Sequence, residues 1–390
     1  MATQLNTNQQ ELEELKEQSA SRFDTSEAQI IKPSPSIEEQ TQLQKLDQVE
    51  TGSSTKPSGS NQGTPNPDTI YGTNGVDIIA SLGGDDQVYG RKKDDIISGG
   101  SGNDYLEGNG EKDTIYGDYS PSGNSDLITS GNDTLKGGEE NDKLYGQDRK
   151  DTVHGGKDND YIEGGADNDN IYGESGNDTL YGDDIEGNPG VSGDDTISGG
   201  SGNDKIYGGR GNDNLDANSG KDLLVGGQGN DSLNGSAGSD ELIGTDTAFF
   251  GQLQQGFGFG EKDTLIGGKN NDTFVLGLAQ ANARDVKGND SVVFDVVLYN
   301  DGNIKASGTQ DYALIKDFGS KNDGVNRGVD KIQLAGSASQ YLLSASPVSS
   351  ISGTGIFFTP GQVVPELIGI VEGISLSNLS LSDSNQFIFV

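Results

Sequence analysis

The sequence has no cysteine, no tryptophan, one histidine and one methionine in 390 residues. Without thiols there is no disulfide and no thiolate metal site, and a single histidine cannot build the imidazole sites that transition metals favour. Basic residues are scarce: 26 Lys and Arg face 62 Asp and Glu, a net charge of −36. A chain of that sign repels nucleic acid and anionic membranes and concentrates cations. Only 30% of residues are hydrophobic, too few for a large conventional core, and no apolar run reaches the ~18 residues of a transmembrane span. Neither His-Glu-x-x-His nor Gly-x-Ser-x-Gly occurs, so the residues of zinc proteases and serine hydrolases are missing and a non-enzyme is expected. Residues 1–10 have neither the basic nor the apolar region of a Sec signal peptide.

Glycine is what the chain has instead, 61 residues against 10 prolines. An acidic, glycine-rich, aromatic-poor chain ordinarily reads as disordered. That reading holds for residues 1–62, a polar tail in which Glu11–Lys16 and Gln40–Val49 are too short to be stable helices alone. Thr51–Pro67 has the composition of a flexible linker.

From Gly63 a nine-residue period takes over. Asp68, Asp77, Asp86, Asp95, Asp104 and Asp113 fall nine apart, as do Asp133, Asp142, Asp151, Asp160, Asp169 and Asp178. So do Asp195, Asp204, Asp213, Asp222, Asp231 and Asp240, and then Asp263 and Asp272. Two residues after every one of these 20 aspartates stands a large apolar residue, from Ile70 to Phe274. Five residues before, glycine is the rule, with Ser81, Ile128 and Ala217 as exceptions. The apolar position tests the register independently of the aspartates that defined it.

Glycine gives the backbone freedom of a tight turn, and Asp-x-Leu/Ile is too short for a helix. The triplet suits a strand whose middle residue faces inward. Turn and strand alternate every nine residues, so two repeats make a coil of 18, and repeat n stacks on repeat n+2. Stacked turns bring carboxylates and carbonyls together, the flexible all-oxygen surrounding that Ca²⁺ takes and Mg²⁺ does not. Four cages in each block of six imply about a dozen ions. One buried aliphatic per repeat contributes about 2–3 kcal/mol, against about 9–18 kcal/mol for ordering nine backbones. The fold is therefore expected to depend on calcium.

These nonapeptides, seen most regularly at Gly199–Tyr207 and Gly208–Asp216, resemble the Gly-Gly-x-Gly-x-Asp-x-U-x repeat of RTX proteins. The resemblance implies an all-β architecture. A right-handed parallel β-roll would occupy residues 63–275, capped by a β-rich domain over 276–390, after a disordered N-terminal tail. It implies calcium ligation by Asp77, Asp86, Asp95, Asp104, Asp113, Asp133, Asp142, Asp151, Asp160, Asp169, Asp178, Asp195, Asp204, Asp213, Asp222, Asp231, Asp240, Asp263 and Asp272. The turn glycines carried over with them are Gly99, Gly102, Gly155, Gly164, Gly173, Gly176, Gly199, Gly202, Gly208, Gly211, Gly226 and Gly229. Lys93, Glu111 and Arg149 put bulky charges where glycine or asparagine is expected, so weaker sites are anticipated there. His154, at the outward ninth position, reads as a surface residue.

Insertions separate the blocks at Gly117–Thr129, Gly182–Pro189 and Gly244–Lys262. The first two follow Tyr-Gly-Asp, and their Asp-to-Asp gaps of 20 and 17 lie close to one coil of 18. The third holds four phenylalanines and reads as a loop packed over the solenoid, or as a binding patch. Strands are expected at 273–276, 291–298, 312–315, 331–334, 355–358, 367–371 and 386–390. Ala313–Phe318 with Asp330–Leu334 resembles the segment closing the roll in RTX C-terminal domains. The Phe-Ile-Phe-Val terminus resembles a type I secretion signal. The expectation is a secreted or cell-surface structural protein exported by type I machinery. The alternative is a calcium-dependent interaction or sensor module acting on a protein partner.

Overall fold

The computed structural model describes residues 62–118, 130–183, 192–245, 261–278, 296–297, 312–318, 330–359 and 365–390. The expectations for the N-terminal tail, for most of 291–298 and for the Phe-rich loop lie outside these residues. The chain divides into two compact units between Leu223 and Leu224. The described residues contain strands and short 3-10 turns but no α-helix.

In the first unit the nonapeptides fold as two parallel sheets. One runs through strands centred on Ile70, Val88, Leu106, Leu135, Val153, Ile171, Ile197 and Leu215. The other runs through Ile79, Ile97, Ile115, Leu144, Ile162, Leu180 and Ile206. Every one of these apolar residues is buried. Successive repeats alternate between the sheets, so each strand pairs with the strand two repeats on, as the period of 18 requires. This is a parallel β-roll. Many strands are longer than the expected triplet: Thr152–Lys157 and Lys205–Arg210 carry the pairing into the first three turn residues.

The register corrects how the insertions were read. Thr134 lies opposite Tyr105 and Lys143 opposite Thr114. Asp133 therefore stacks on Asp104, not on Asp113, and the gap of 20 is one repeat plus an inserted loop rather than one coil. The same holds for Thr196 opposite Asn170. No repeat is lost, and the blocks of six are not structural units.

In the second unit Ser232–Asn234 pairs in parallel with Thr264–Ile266, which pairs with Ala313–Lys316. Glu241–Thr245, Thr273–Val275, Lys331–Leu334 and Phe387–Phe389 form the second parallel series. Ile315 and Ile332 take the buried positions that Leu265 and Phe274 hold in the nonapeptides. Glu366–Glu372 joins Ala313–Lys316 in parallel and then continues antiparallel through Gly353–Phe358 to Tyr341–Ala345. Tyr341–Ala345 had no counterpart among the expected strands.

Candidate metal centre

Each turn has six positions, with aspartate at the sixth, and its geometry begins with backbone angles. Position two is left-handed, with φ of 99° at Gly100, 113° at Gly200 and 114° at Gly209. Position four is left-handed too, with φ of 117°, 153°, 137°, 135° and 137° at Gly102, Gly176, Gly202, Gly211 and Gly229. Where other residues occupy these positions they adopt the same conformation: φ is 90° at Arg91, 75° at Lys93, 68° at Glu111 and 81° at Arg149. The irregular turns are therefore the same turns, held at a cost of about 1–2 kcal/mol per strained residue. Lys93 and Glu111, stacked one coil apart, form an ion pair. His154 lies on the outer face, 2.9 Å from Glu174 and stacked on Tyr172.

Position one needs glycine for a different reason. A methyl built on Gly99, Gly155 or Gly164 would lie 2.4 Å from the Oδ2 atom of Asp104, Asp160 or Asp169. The same contact is 2.6 Å at Gly173, 2.5 Å at Gly199 and 2.4 Å at Gly226. From the other side comes the carbonyl of position one in the next coil: Gly173 O approaches the Gly155 site to 2.9 Å and Gly208 O the Gly182 site to 2.3 Å. Gly117 and Gly182 hold position one of the turns ending at Asp133 and Asp195, with Oδ2 contacts of 2.4 and 2.2 Å. Position one of the turn ending at Asp133 is therefore Gly117, not the residue five places before the aspartate. A carboxylate oxygen and a carbonyl oxygen thus converge over Gly99, Gly155, Gly164, Gly173, Gly199 and Gly226.

The aspartates form a ladder. One oxygen of each accepts the backbone N–H of the aspartate one coil below, from Asp68 N to Asp86 Oδ1 at 2.7 Å through to Asp204 N to Asp222 Oδ1 at 2.8 Å. The rungs cross both insertions without a break, at 2.8 Å from Asp104 to Asp133 and 2.7 Å from Asp169 to Asp195. The second unit has its own rungs from Asp231 to Asp263, Asp240 to Asp272 and Asp272 to Asp330. Asp330 thus sits where a nonapeptide aspartate would.

The other oxygen is the anomaly. Oδ2 of Asp95, Asp104, Asp113, Asp133, Asp142, Asp151, Asp160, Asp169, Asp178, Asp195, Asp204 and Asp272 is buried and accepts no hydrogen bond. A buried carboxylate oxygen without a partner carries a penalty of several kcal/mol. Asp77 differs: its Oδ2 accepts the N–H and hydroxyl of Thr73 at 2.5 and 2.9 Å, and Thr64 caps Asp68 likewise. At Asp86 the Ser81 hydroxyl stands beside the carboxylate.

Burial, reinforced by neighbouring carboxylates and opposed by the ladder N–H, raises these acids far above the ordinary range. It pushes Asp133, Asp151 and Asp169 up to about 9, Asp113, Asp142, Asp160 and Asp195 up to about 8, and Asp95 and Asp222 up to about 6. No group of three or more acidic, His or Cys side chains converges among the described residues. A cation held here would meet one or two carboxylates and several carbonyls, an oxygen set of the hard kind that suits Ca²⁺.

Sequence reasoning gave no role to Asp118 and Asp183, at the bases of loops, and placed Asp317 only within the segment resembling the one that closes the roll. Asp118 and Asp183 are buried at position two of the interrupted turns. Asp317, with φ of 53°, accepts the N–H groups of Gly267 and Gly268 at 3.1 and 3.0 Å. The signal was present in the repeated Tyr-Gly-Asp before the first two insertions.

A family model of the RTX calcium-binding nonapeptide repeat matches residues 62–92, 89–118, 128–162, 145–180, 189–224, 216–246 and 257–278. No curated protein matches the chain. The matched segments coincide with the stacked turns and their aspartate ladder, and the chain is an RTX repeat protein with calcium-binding repeats.

Proposed function

We propose that this is a secreted or cell-surface structural protein that folds when it meets calcium outside the cell. The ligands would be the position-six aspartates from Asp86 onward, together with the carbonyls that converge over position-one glycines such as Gly99, Gly164 and Gly199. The observation that carries the reading is the series of buried Oδ2 atoms that no protein group satisfies. A divalent cation would supply the missing partner and offset part of a net charge of −36. Where free calcium is low the chain would stay unfolded and fit for passage through type I machinery, and the C-terminal Phe-Ile-Phe-Val is the segment that resembles its signal. No helix among the described residues is long and apolar enough to cross a membrane.

Two measurements test this. Calcium titration of the chelated full chain, followed by circular dichroism, is expected to show a cooperative gain of β-structure; a chain already folded in chelator refutes the calcium reading. Removing residues 376–390 and comparing medium with cells is expected to abolish export; unchanged export refutes the secretion reading alone.

A further inference from the structure

The two interrupted turns of the first unit solve a problem that uninterrupted turns do not have. In an uninterrupted turn the carbonyl of position two accepts the N–H of position three in the next coil. Ser101 donates to Leu82 O at 3.0 Å and Glu139 to Asn109 O at 2.9 Å. In the interrupted turns the chain leaves after position two, at Asp118 and at Asp183, and re-enters at Ser130 and Ser192. The position-three N–H groups of the next coil belong to Asp148 and Arg210. They donate instead to side chains: Asp148 N to Asp118 Oδ2 at 3.2 Å, and Arg210 N to Asp183 Oδ2 at 2.5 Å. Asp118 Oδ1 also accepts the N–H of Gly131 at 2.8 Å, beyond the far end of its loop.

We propose that Asp118 and Asp183 are insertion anchors, whose carboxylates stand in for the main-chain carbonyl that each loop draws out of the turn and so keep the aspartate ladder intact across the break. Sequence supports the assignment. Without residues 119–129 the first turn reads Gly117-Asp118-Ser130-Gly131-Asn132-Asp133, and without 184–191 the second reads Gly182-Asp183-Ser192-Gly193-Asp194-Asp195. Each has aspartate at position two, which no uninterrupted turn has: those carry glycine, as at Gly100 and Gly200, or another residue such as Leu82, Arg91, Asn109, Gln147, Glu174 or Asn218. An ionised carboxylate suits the task because it only accepts, and two oxygens can serve two donors at once. Its benefit is visible in the rungs to Asp133 and Asp195, which keep their ordinary lengths of 2.8 and 2.7 Å.

The anchors are positioning residues, and hydrogen exchange of the calcium-saturated full chain reads them directly. Asp118→Asn is expected to speed exchange at the Asp148 and Gly131 amides by on the order of tenfold or more, leaving the Arg210 amide unchanged. Asp183→Ala, which removes the acceptor altogether, should do the reverse, exposing Arg210 and sparing Asp148. Unchanged protection at Asp148 and Gly131 in Asp118→Asn would overturn the proposal. A second arm asks whether the requirement belongs to the loop. In the chain lacking residues 119–129, Asp118→Gly is expected to leave the calcium midpoint equal or lower. If aspartate is needed as much there as in the full chain, the anchor reading fails. Should that shortened chain not fold, the exchange measurement decides alone. Failure of the calcium reading would look different, as folding in chelator shared by the parent and every variant.

Discussion

Removing calcium at neutral pH and then lowering the pH separates the two ways this fold can relieve its buried carboxylates. In the metal-free roll the folded-state acid constants lie above the unfolded value of 3.8, at about 9 for Asp133 and about 6 for Asp95. A raised folded value means that the folded state binds the proton more tightly than the unfolded chain. The roll is then unpenalised below about pH 4 and loses stability as pH rises from there until each folded value, about 6 for Asp95 and about 9 for Asp133, has been passed. At about pH 7.5 the cost is about 5 kcal/mol for Asp133 and smaller for Asp95, whose folded value is lower, taking about 1.4 kcal/mol per pH unit. Even a few such residues match the whole stability of an ordinary domain, about 5–15 kcal/mol. At about pH 4.5 the cost falls to about 1 kcal/mol per residue. The expected result by far-ultraviolet circular dichroism is an unfolded chelated chain at about pH 7.5. Acidification in chelator to about pH 4.5 should recover β-signal, and calcium at about pH 7.5 should recover it fully. A chelated chain that keeps its β-signal and a cooperative melt at neutral pH, or that loses signal on acidification, refutes the reasoning.

Gly164→Ala would place a methyl 2.4 Å from Asp169 Oδ2 and 2.6 Å from Gly182 O; thermal melting at saturating calcium should show a loss of about 1–3 kcal/mol, with weaker calcium binding. Ile162→Ala removes a fully buried side chain and should cost about 2–5 kcal/mol in the same assay, with the calcium stoichiometry of the folded protein unchanged. Arg149→Gly relieves a left-handed residue with φ of 81° and should raise the melting temperature, by about 1 kcal/mol of stability. Asp317→Ala leaves two turn N–H groups without their carboxylate and should destabilise the second unit by about 1–3 kcal/mol, read as faster exchange at Gly267 and Gly268.

The repeat was legible because one residue type did one job at a fixed interval. Leu144, Ile162 and Leu180 lie opposite one another because each is the eighth residue of its repeat. No tertiary contact distant in sequence is needed to place them. The turn glycines were legible for the same reason, and the structure divides them into two kinds. Gly102 and Gly202 permit a left-handed angle, whereas Gly99 and Gly199 make room for a carboxylate. Counting could not separate these roles, because both are written as glycine. In the irregular turns Asp95, Asp113 and Asp151 keep ladder bonds of 2.8, 2.8 and 2.7 Å. At Lys93 the backbone N–H and the ammonium both donate to the Glu111 carboxylate one coil on.

The insertions were misread because Asp-to-Asp distance measures chain length, whereas stacking depends on where the chain re-enters the turn. A gap of 20 resembles a coil of 18, yet the structure resolves it into nine residues of repeat and a loop hung between turn positions two and three. What tolerates the loop is local. The rest of the turn already pairs with its neighbours, and one carbonyl is displaced, so one side-chain acceptor suffices to restore the pairing. The same economy closes the second unit. Gly267 and Gly268 present two N–H groups to the coil beyond, and Asp317 accepts both. Asp330 then continues the ladder. Aspartate therefore serves this chain in two chemically distinct ways. At position six, in the turns from Asp95 to Asp204, one oxygen is committed to the ladder and the other accepts no hydrogen bond, whereas at the loop bases Asp118 and Asp317 commit both oxygens to backbone N–H groups. The distinction predicts which acids calcium should order and which should hold their partners without it.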